Sequence, residues 1–261
     1  KAEKTVGASE TNPVHLFRGK DFIDVDTGDP IPEPFDAVIM IEDIVEIEKD
    51  CVEIIKSVSP WEHIRPIGED IVAHEMIVPA NHRIRPVDIG ALLSGGITKI
   101  EVYQKPKVGI LPTGTEIIEP GEPVEIGKII ESNSRVFEAM VKELGGEPNR
   151  YPTVPDDYEL LKEKIIRAVE ENDLVIIGAG SSAGSEDYTV HLIRELGEVF
   201  VHGIATKPGK PTILGIIEGK PVIGIPGYPV SAYFVFETFV KPIIQKFLRQ
   251  KMIPRRKVKA I

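Results

Sequence analysis

Four carboxylates in this 261-residue sequence, Glu116, Asp156, Asp157 and Asp187, fall where an apolar run gives way to a helical pattern. Taken singly they are explained as helix caps or first-turn acids, which need no function. Taken together they point further, because the junctions after strands of one sheet converge on one edge. Within the same region Leu174-Val-Ile-Ile177 breaks into the turn Gly178-Ala-Gly-Ser-Ser-Ala-Gly184, just ahead of Glu186-Asp-Tyr-Thr189. A buried strand that feeds a glycine-rich turn at a helix start suits an anion. The free N–H groups of a turn such as Gly180, Ser181, Ser182 and Gly184, and the helix dipole behind it, both favour negative charge. Two ammonium groups follow on Lys207-Pro-Gly-Lys-Pro211, then a further turn, Pro226-Gly-Tyr-Pro-Val-Ser231. A rigid loop presenting Lys207 and Lys210 is hard to account for at a surface without an anion to meet.

The chemistry these residues predict is a phosphate-bearing ligand cradled by three turns, with lysines and acids sharing one edge. Carboxylates beside a phosphate imply a divalent cation, Mg²⁺ or another, bridging acid and phosphate oxygens. Other chemistries find no support. The glycine turn is neither Gly-x-Gly-x-x-Gly nor a Walker A loop, and there is no nucleophile elbow, His-Glu-x-x-His or Cys-x-x-Cys. The six histidines are scattered without ligand spacing; His202 stands out only because it lies on the strand leading to Lys207.

The net charge of −10 argues against a general nucleic-acid binder. It is unevenly spread, since residues 241–261 carry eight Lys or Arg and no acid, a pattern of a solvated helix end and linker or of a binding tail. No apolar run approaches the roughly 20 residues of a membrane helix. A single cysteine, Cys51, permits no internal disulfide, and the start of the chain lacks signal-peptide anatomy, so a cytoplasmic setting is expected.

The elements that must hold these residues follow from patterning. Residues 1–72 read as a β-rich domain, with short β-prone runs at Val14–Phe17, Asp36–Ile41, Ile44–Glu48 and Val52–Lys56. Pro30, Pro32 and Pro34 mark a rigid loop between them. The stretch 26–30 reads as a turn, either a plain hairpin connection or one offering Thr27 and Asp29 to a ligand. Residues 73–103 read as a connector with strand-like Met76–Pro79 and Arg83–Pro86 and a helix from Pro86 or Val87 to Leu93. From 104 to 250 strands alternate with helices, which predicts a doubly wound, mostly parallel α/β sheet. Its expected strands lie at 108–111, 174–177, 199–204, 212–217 and 221–225. Helices are expected at 134–144 capped by Asn133, after Asp156 or Asp157, near 187–196, and from Pro229 or Val230 to about Gln250.

The motifs carry a resemblance as well. Gly7-Ala-Ser-x-x-Asn-Pro13, Thr27-Gly-x-Pro-x-Pro32, Gly68-Glu-Asp-Ile71, Thr113-Gly-x-Glu116, Ser132-Asn133, Pro155-Asp-Asp157, Gly184-x-x-Asp-Tyr-Thr189, Lys207-Pro-Gly-Lys-Pro211 and Pro226-Gly-x-Pro-Val-Ser231 stand in the order of the MoeA family. Members of that family are molybdopterin molybdenumtransferases, related to the E domain of gephyrin. The resemblance implies a MogA/MoaB-like molybdopterin-binding domain beside a smaller β domain. It further implies insertion of molybdate into adenylylated molybdopterin with release of AMP, a divalent cation assisting, in a homodimer whose cleft joins the α/β domain of one subunit to the β domain of the other. Carried over by motif, Thr27 and Asp70 face the cleft from the β domain. Glu116, Asp156 and Asp187 hold the metal ion and ligand. Lys207 and Lys210, with Pro226, Gly227, Pro229 and Ser231, hold the pterin phosphate and the oxyanion. Two other readings remain: a MogA-type molybdopterin adenylyltransferase, against which the β region counts, and a non-catalytic cofactor-binding scaffold.

The sequence also departs from the family. Its glycine turn differs from Ser-Gly-Gly-Val-Ser-Val-Gly, Thr115 replaces the Asp of Thr-Gly-Asp-Glu, Tyr228 replaces the Asn of Gly-Asn-Pro, and Gly203 stands where a lysine is common. These changes resemble archaeal or tungsten-using branches, so tungstate is an alternative oxyanion. The family's Asp-Gly-Tyr-Ala motif is expected just before Lys1 and a C-terminal β domain from about 251 or 255, which reads the chain as a core fragment that folds but turns over poorly.

Overall fold

The structure, a computed structural model, describes residues 1–179 and 188–250. The chain divides into two compact units, one of residues 1–79 and 84–98 and one of residues 80–83 and 99 onward. Among the described residues no helix is long and apolar enough to cross a membrane.

The first unit is built on strands β1 (Val14–Phe17), β2 (Ile44–Glu48) and β3 (Cys51–Ile54). They form an antiparallel sheet of order β1-β3-β2, and Leu16, Val52 and Ile54 are its buried core. Helix α1 (Pro86–Ser94) begins with a proline whose missing N–H is no loss in a first turn. Asp88 accepts the Arg85 N–H at 2.7 Å and its guanidinium at 2.8 Å. Three expected strands do not form. Over Asp36–Ile41 the backbone bonds run to a neighbouring loop instead of a ladder: Trp61 N–H donates to Asp36 O at 2.6 Å and Val38 N–H to Glu62 O at 3.0 Å. Met76–Pro79 and residues 83–85 are irregular as well; the first run ends on a proline and the second runs into Pro86, and neither proline has an N–H to give a sheet.

The second unit runs β4 (Lys107–Leu111), β5 (Ile117–Ile118), β6 (Ile129–Ile130), α2 (Asn133–Leu144), β7 (Glu147–Arg150), α3 (Tyr158–Glu171), β8 (Leu174–Ala179), α4 (Tyr188–Leu196), β9 (Glu198–His202), β10 (Ile213–Ile217), β11 (Lys220–Pro226), α5 (Pro229–Val235) and α6 (Lys241–Phe247). Six strands make one sheet in the order β7-β4-β8-β11-β10-β9. The first four are parallel, and β10 is antiparallel to both its neighbours. The doubly wound α/β expectation therefore holds. Successive residues of the central strands serve opposite faces. Leu111, Val175, Ile177 and Val222 pack with α3 and α4, whereas Ile110, Ile176 and Ile223 pack with α2, α5 and α6. A strand buried on both sides needs this continuous apolar run, which is why these segments read so clearly in the sequence.

Strand β7 was not expected. Its sequence, Glu-Pro-Asn-Arg, has little β character, and Pro148 is tolerated because β7 lies at the sheet edge. The last helix also differs from the single helix expected. A π turn at Phe236–Val240 separates α5 from α6, with Lys241 N–H bonded to Phe236 O. Pro242 supplies the reason, since in α register its ring would meet the carbonyl of Thr238.

Candidate functional site

One rung of the large sheet passes through Leu111, Ile177, Gly224, Ile213 and His202. Beyond that rung, on the same side, lie the segments 112–116, 178–179, 225–231 and the 203–212 loop between β9 and β10. Strand direction thus brings Glu116, Lys207, Lys210, Pro226, Gly227, Pro229 and Ser231 to one edge, the carboxyl edge of the parallel strands, where open α/β sheets take ligands.

The turn after β4 is tied to its neighbours by several hydrogen bonds. Thr113 Oγ1 donates to Gly178 O of β8. Gly114 N–H donates to Val154 O at 3.1 Å, and Ile129 N–H of β6 to Glu116 O at 2.9 Å. Gly114 has φ of +136°, and a β-carbon there would sit 2.8 Å from Glu116 Oε2, so the Glu116 carboxylate lies folded against this glycine. Thr115 Oγ1 donates to Asp156 Oδ2 at 2.6 Å, and Thr115 N–H donates to the same oxygen at 3.2 Å. Asp156 therefore joins the edge through a residue 41 positions earlier. Of the two candidate caps for α3, Asp157 takes the role, accepting the Leu160 N–H at 2.8 Å. Asp156 is left for the site.

Asn133 does not cap α2, as was expected of it. It is the first residue of the helix, and its Nδ2 donates to Gly227 O at 2.7 Å, tying the helix start to the end of β11. The capping is done by Glu131, whose buried carboxylate accepts the Ser134 N–H and hydroxyl, each at 2.7 Å, and the Arg135 guanidinium at 2.5 Å. Arg135 also reaches Glu119 at 2.6 Å and holds that carboxyl below its usual range. Lys128 donates to Thr115 O at 2.9 Å. Sequence reading passed over Lys128, Glu131 and Arg135. An acid placed immediately before a helical pattern was the available signal for Glu131; nothing local marks the other two.

On the far side of the edge, Lys207 and Lys210 are exposed, and among the described residues neither makes an ion pair. The loop carrying them is closed by Gly203 N–H to Thr212 O and Ile204 N–H to Lys210 O, both 2.8 Å. Gly203 has φ of +90°, a backbone that disfavours any residue with a side chain. Gly180, Ser181, Ser182, Gly184 and Asp187 lie outside the described residues. Glu116 and Asp156 are thus the described carboxylates of the expected metal set, and among the described residues no three His, Cys, Asp or Glu gather closely enough to hold an ion.

Thr27 and Asp70 belong to the first unit. Thr27 lies in the expected turn, which Asp29 closes by accepting the Asp26 N–H at 3.0 Å. Asp70 is paired with Arg65 beside a depression of about 250 Å³ lined also by Gly68, Glu69 and Ser94.

Fold and edge together define a doubly wound α/β protein whose candidate residues gather at the carboxyl ends of the strands, where such sheets take ligands. Comparison with known proteins narrows this. Residues 109–246 match the model of the probable molybdopterin binding domain, and residues 1–96 that of the MoeA N-terminal region (domain I and II). The chain belongs to the MoeA family. It is 41% identical, over 92% of its length, to a molybdopterin biosynthesis protein of Methanocaldococcus jannaschii, and 34% identical, over 89%, to the molybdopterin molybdenumtransferase of Haemophilus influenzae. It spans 64% of the first relative and 57% of the second. The solved structure of the molybdopterin biosynthesis MoeA protein of Pyrococcus horikoshii superposes with a TM-score of 0.73 at 37% identity, covering 95% of this chain and 66% of that one.

Proposed function

We propose that this chain belongs to an enzyme that inserts molybdate, or tungstate, into adenylylated molybdopterin and releases AMP. The observation that carries the reading is the sharing of one sheet edge by two ammonium groups with no ion pair among the described residues, Lys207 and Lys210, and the carboxylates Glu116 and Asp156. Relatives named molybdopterin molybdenumtransferase support it. In this reading the lysines and the Pro226–Ser231 turn grip the phosphate end of the pterin and the incoming oxyanion, and Asp187 completes the acidic set. The donor set suits Mg²⁺, which takes one or two protein carboxylates and fills its remaining positions with water and substrate phosphate. Such an ion would neutralise charge at the phosphoanhydride. Glu116 and Asp156 are the described residues that would hold it.

The same family likeness supports a cytoplasmic homodimer with Thr27 and Asp70 serving the cleft, and the domain reading of 1–72 as a β domain, 73–103 as connector and 104–250 as the molybdopterin-binding domain. Mixing inactive D70N and D156N proteins at equal amounts is then expected to restore about a quarter of the sites, because half of the dimers form one intact site each. No recovery on subunit exchange counts against a shared cleft.

The functional test supplies adenylylated molybdopterin and molybdate to a form extended to the length of its relatives and follows AMP. Release that requires molybdate is expected. Pyrophosphate release from ATP and molybdopterin would indicate an adenylyltransferase instead, and tight binding without turnover a scaffold.

A further inference from the structure

We propose that Thr115 is a positioning residue for Asp156: it fixes one carboxylate oxygen so that the other is the one offered to cation and ligand. The inference rests on the functional reading above. Two donors of a single residue, Oγ1 at 2.6 Å and N–H at 3.2 Å, converge on Oδ2, and among the described residues Oδ1 has no partner. A carboxylate ordinarily swings through a broad, two-fold range about its last torsion. Two donors on one oxygen remove that freedom.

The holder is itself held. Lys128 Nζ donates to the Thr115 carbonyl at 2.9 Å, and the peptides on either side are bonded to Val154 O and from Ile129 N–H. Thr115 is thus tied down through its own carbonyl and through the peptides on both sides of it, to β6 and to the segment after β7. The residue type at this position matters. A carboxylate next to Asp156 would repel it, whereas a hydroxyl donates to it. This chain reaches an ordered Asp156 with one fewer negative charge at the edge.

The test reads binding of Mn²⁺, a paramagnetic probe for the divalent cation, by the electron spin resonance signal of the free ion. Parent, T115S, T115V, T115A, D156N and T115V/D156N proteins are compared. T115V and T115A are expected to weaken Mn²⁺ binding roughly tenfold, the scale of one hydrogen bond to a charged group. T115S should stay within about twofold of the parent, and T115V should have no further effect in the D156N background. Thermal midpoints, followed in parallel, separate these effects from misfolding, with T115A standing in should T115V fold poorly. Binding by T115V equal to that of the parent overturns the inference. So does a T115S protein as weak as T115V, or a valine effect that persists without Asp156. A parent that binds no Mn²⁺ overturns it as well. AMP release independent of molybdate, with the Thr115–Asp156 coupling intact, sinks the functional reading and leaves this inference standing; molybdate-dependent release without the coupling does the reverse.

Discussion

At Gly114 a methyl group would meet Glu116 Oε2 at 2.8 Å and Ile117 Cγ1 at 2.9 Å, on a backbone with φ of +136°. Gly114→Ala is therefore expected to destabilise the second unit by about 2 kcal/mol, combining left-handed strain with displacement of the Glu116 side chain. Gly121→Ala is the control. Its φ is +99° but nothing lies within 4 Å of the added carbon, so only strain of about 1 kcal/mol remains. Urea titration of the two variants separates the terms. Tyr151 gives a prediction in pH. Its hydroxyl donates to Glu171 at 2.6 Å and accepts from Asn172 at 2.9 Å, and burial, then the Glu171 bond, push the phenol up to about 12 from 10.0. A pKa raised on folding adds stability that is whole below pH 10 and is lost as pH climbs through 12. Stability of the parent should fall across that window, while Tyr151→Phe, less stable below it, should lack that part of the decline.

Adjacent acids at the start of α3 do different work, and the sequence alone left either as the cap. Asp157→Ala removes the bond to the Leu160 N–H and should cost about 1 kcal/mol of stability. Asp156→Asn should change stability by no more than a few tenths of a kcal/mol, because the residue is exposed, and on the proposed reading should abolish AMP release by the extended form. Thermal melts beside a turnover assay would show the division; a strongly destabilised D156N protein would contradict it. Patterning made most elements of this unit legible, since β4, β8, β10 and β11 are apolar runs and α2, α3 and α4 have helical spacing. What it missed follows from the same physics. Strand β7 sits on an edge and buries too little to need an apolar run, and the π turn answers to one proline six residues downstream of where it begins.

For the molecule as a whole, the two units differ in how much core they own. The first buries Leu16, Val52 and Ile54 with a few half-buried neighbours, whereas the second has an apolar layer on each face of its sheet. Since stability scales with buried apolar area, the first unit should melt at the lower temperature. Trp61, the single tryptophan, lies in that unit, so its fluorescence should change before the helical circular dichroism, most of which comes from the second. Coincident transitions would show one cooperative unit instead.

Local chemistry settled the class of fold, the turns and the residue types at the edge. Runs, spacings and capping residues act over a few positions and can be read where they stand. Folding settled which of those residues meet. Thr115 finds Asp156 across 41 positions and Asn133 finds Gly227 across 94, because the order of strands in the sheet, rather than their order in the chain, sets the neighbours. Asp36–Ile41 shows the converse, a β-prone run whose hydrogen bonds were claimed by a distant loop. Backbone donors and acceptors must be satisfied somewhere, and only the assembled chain determines where.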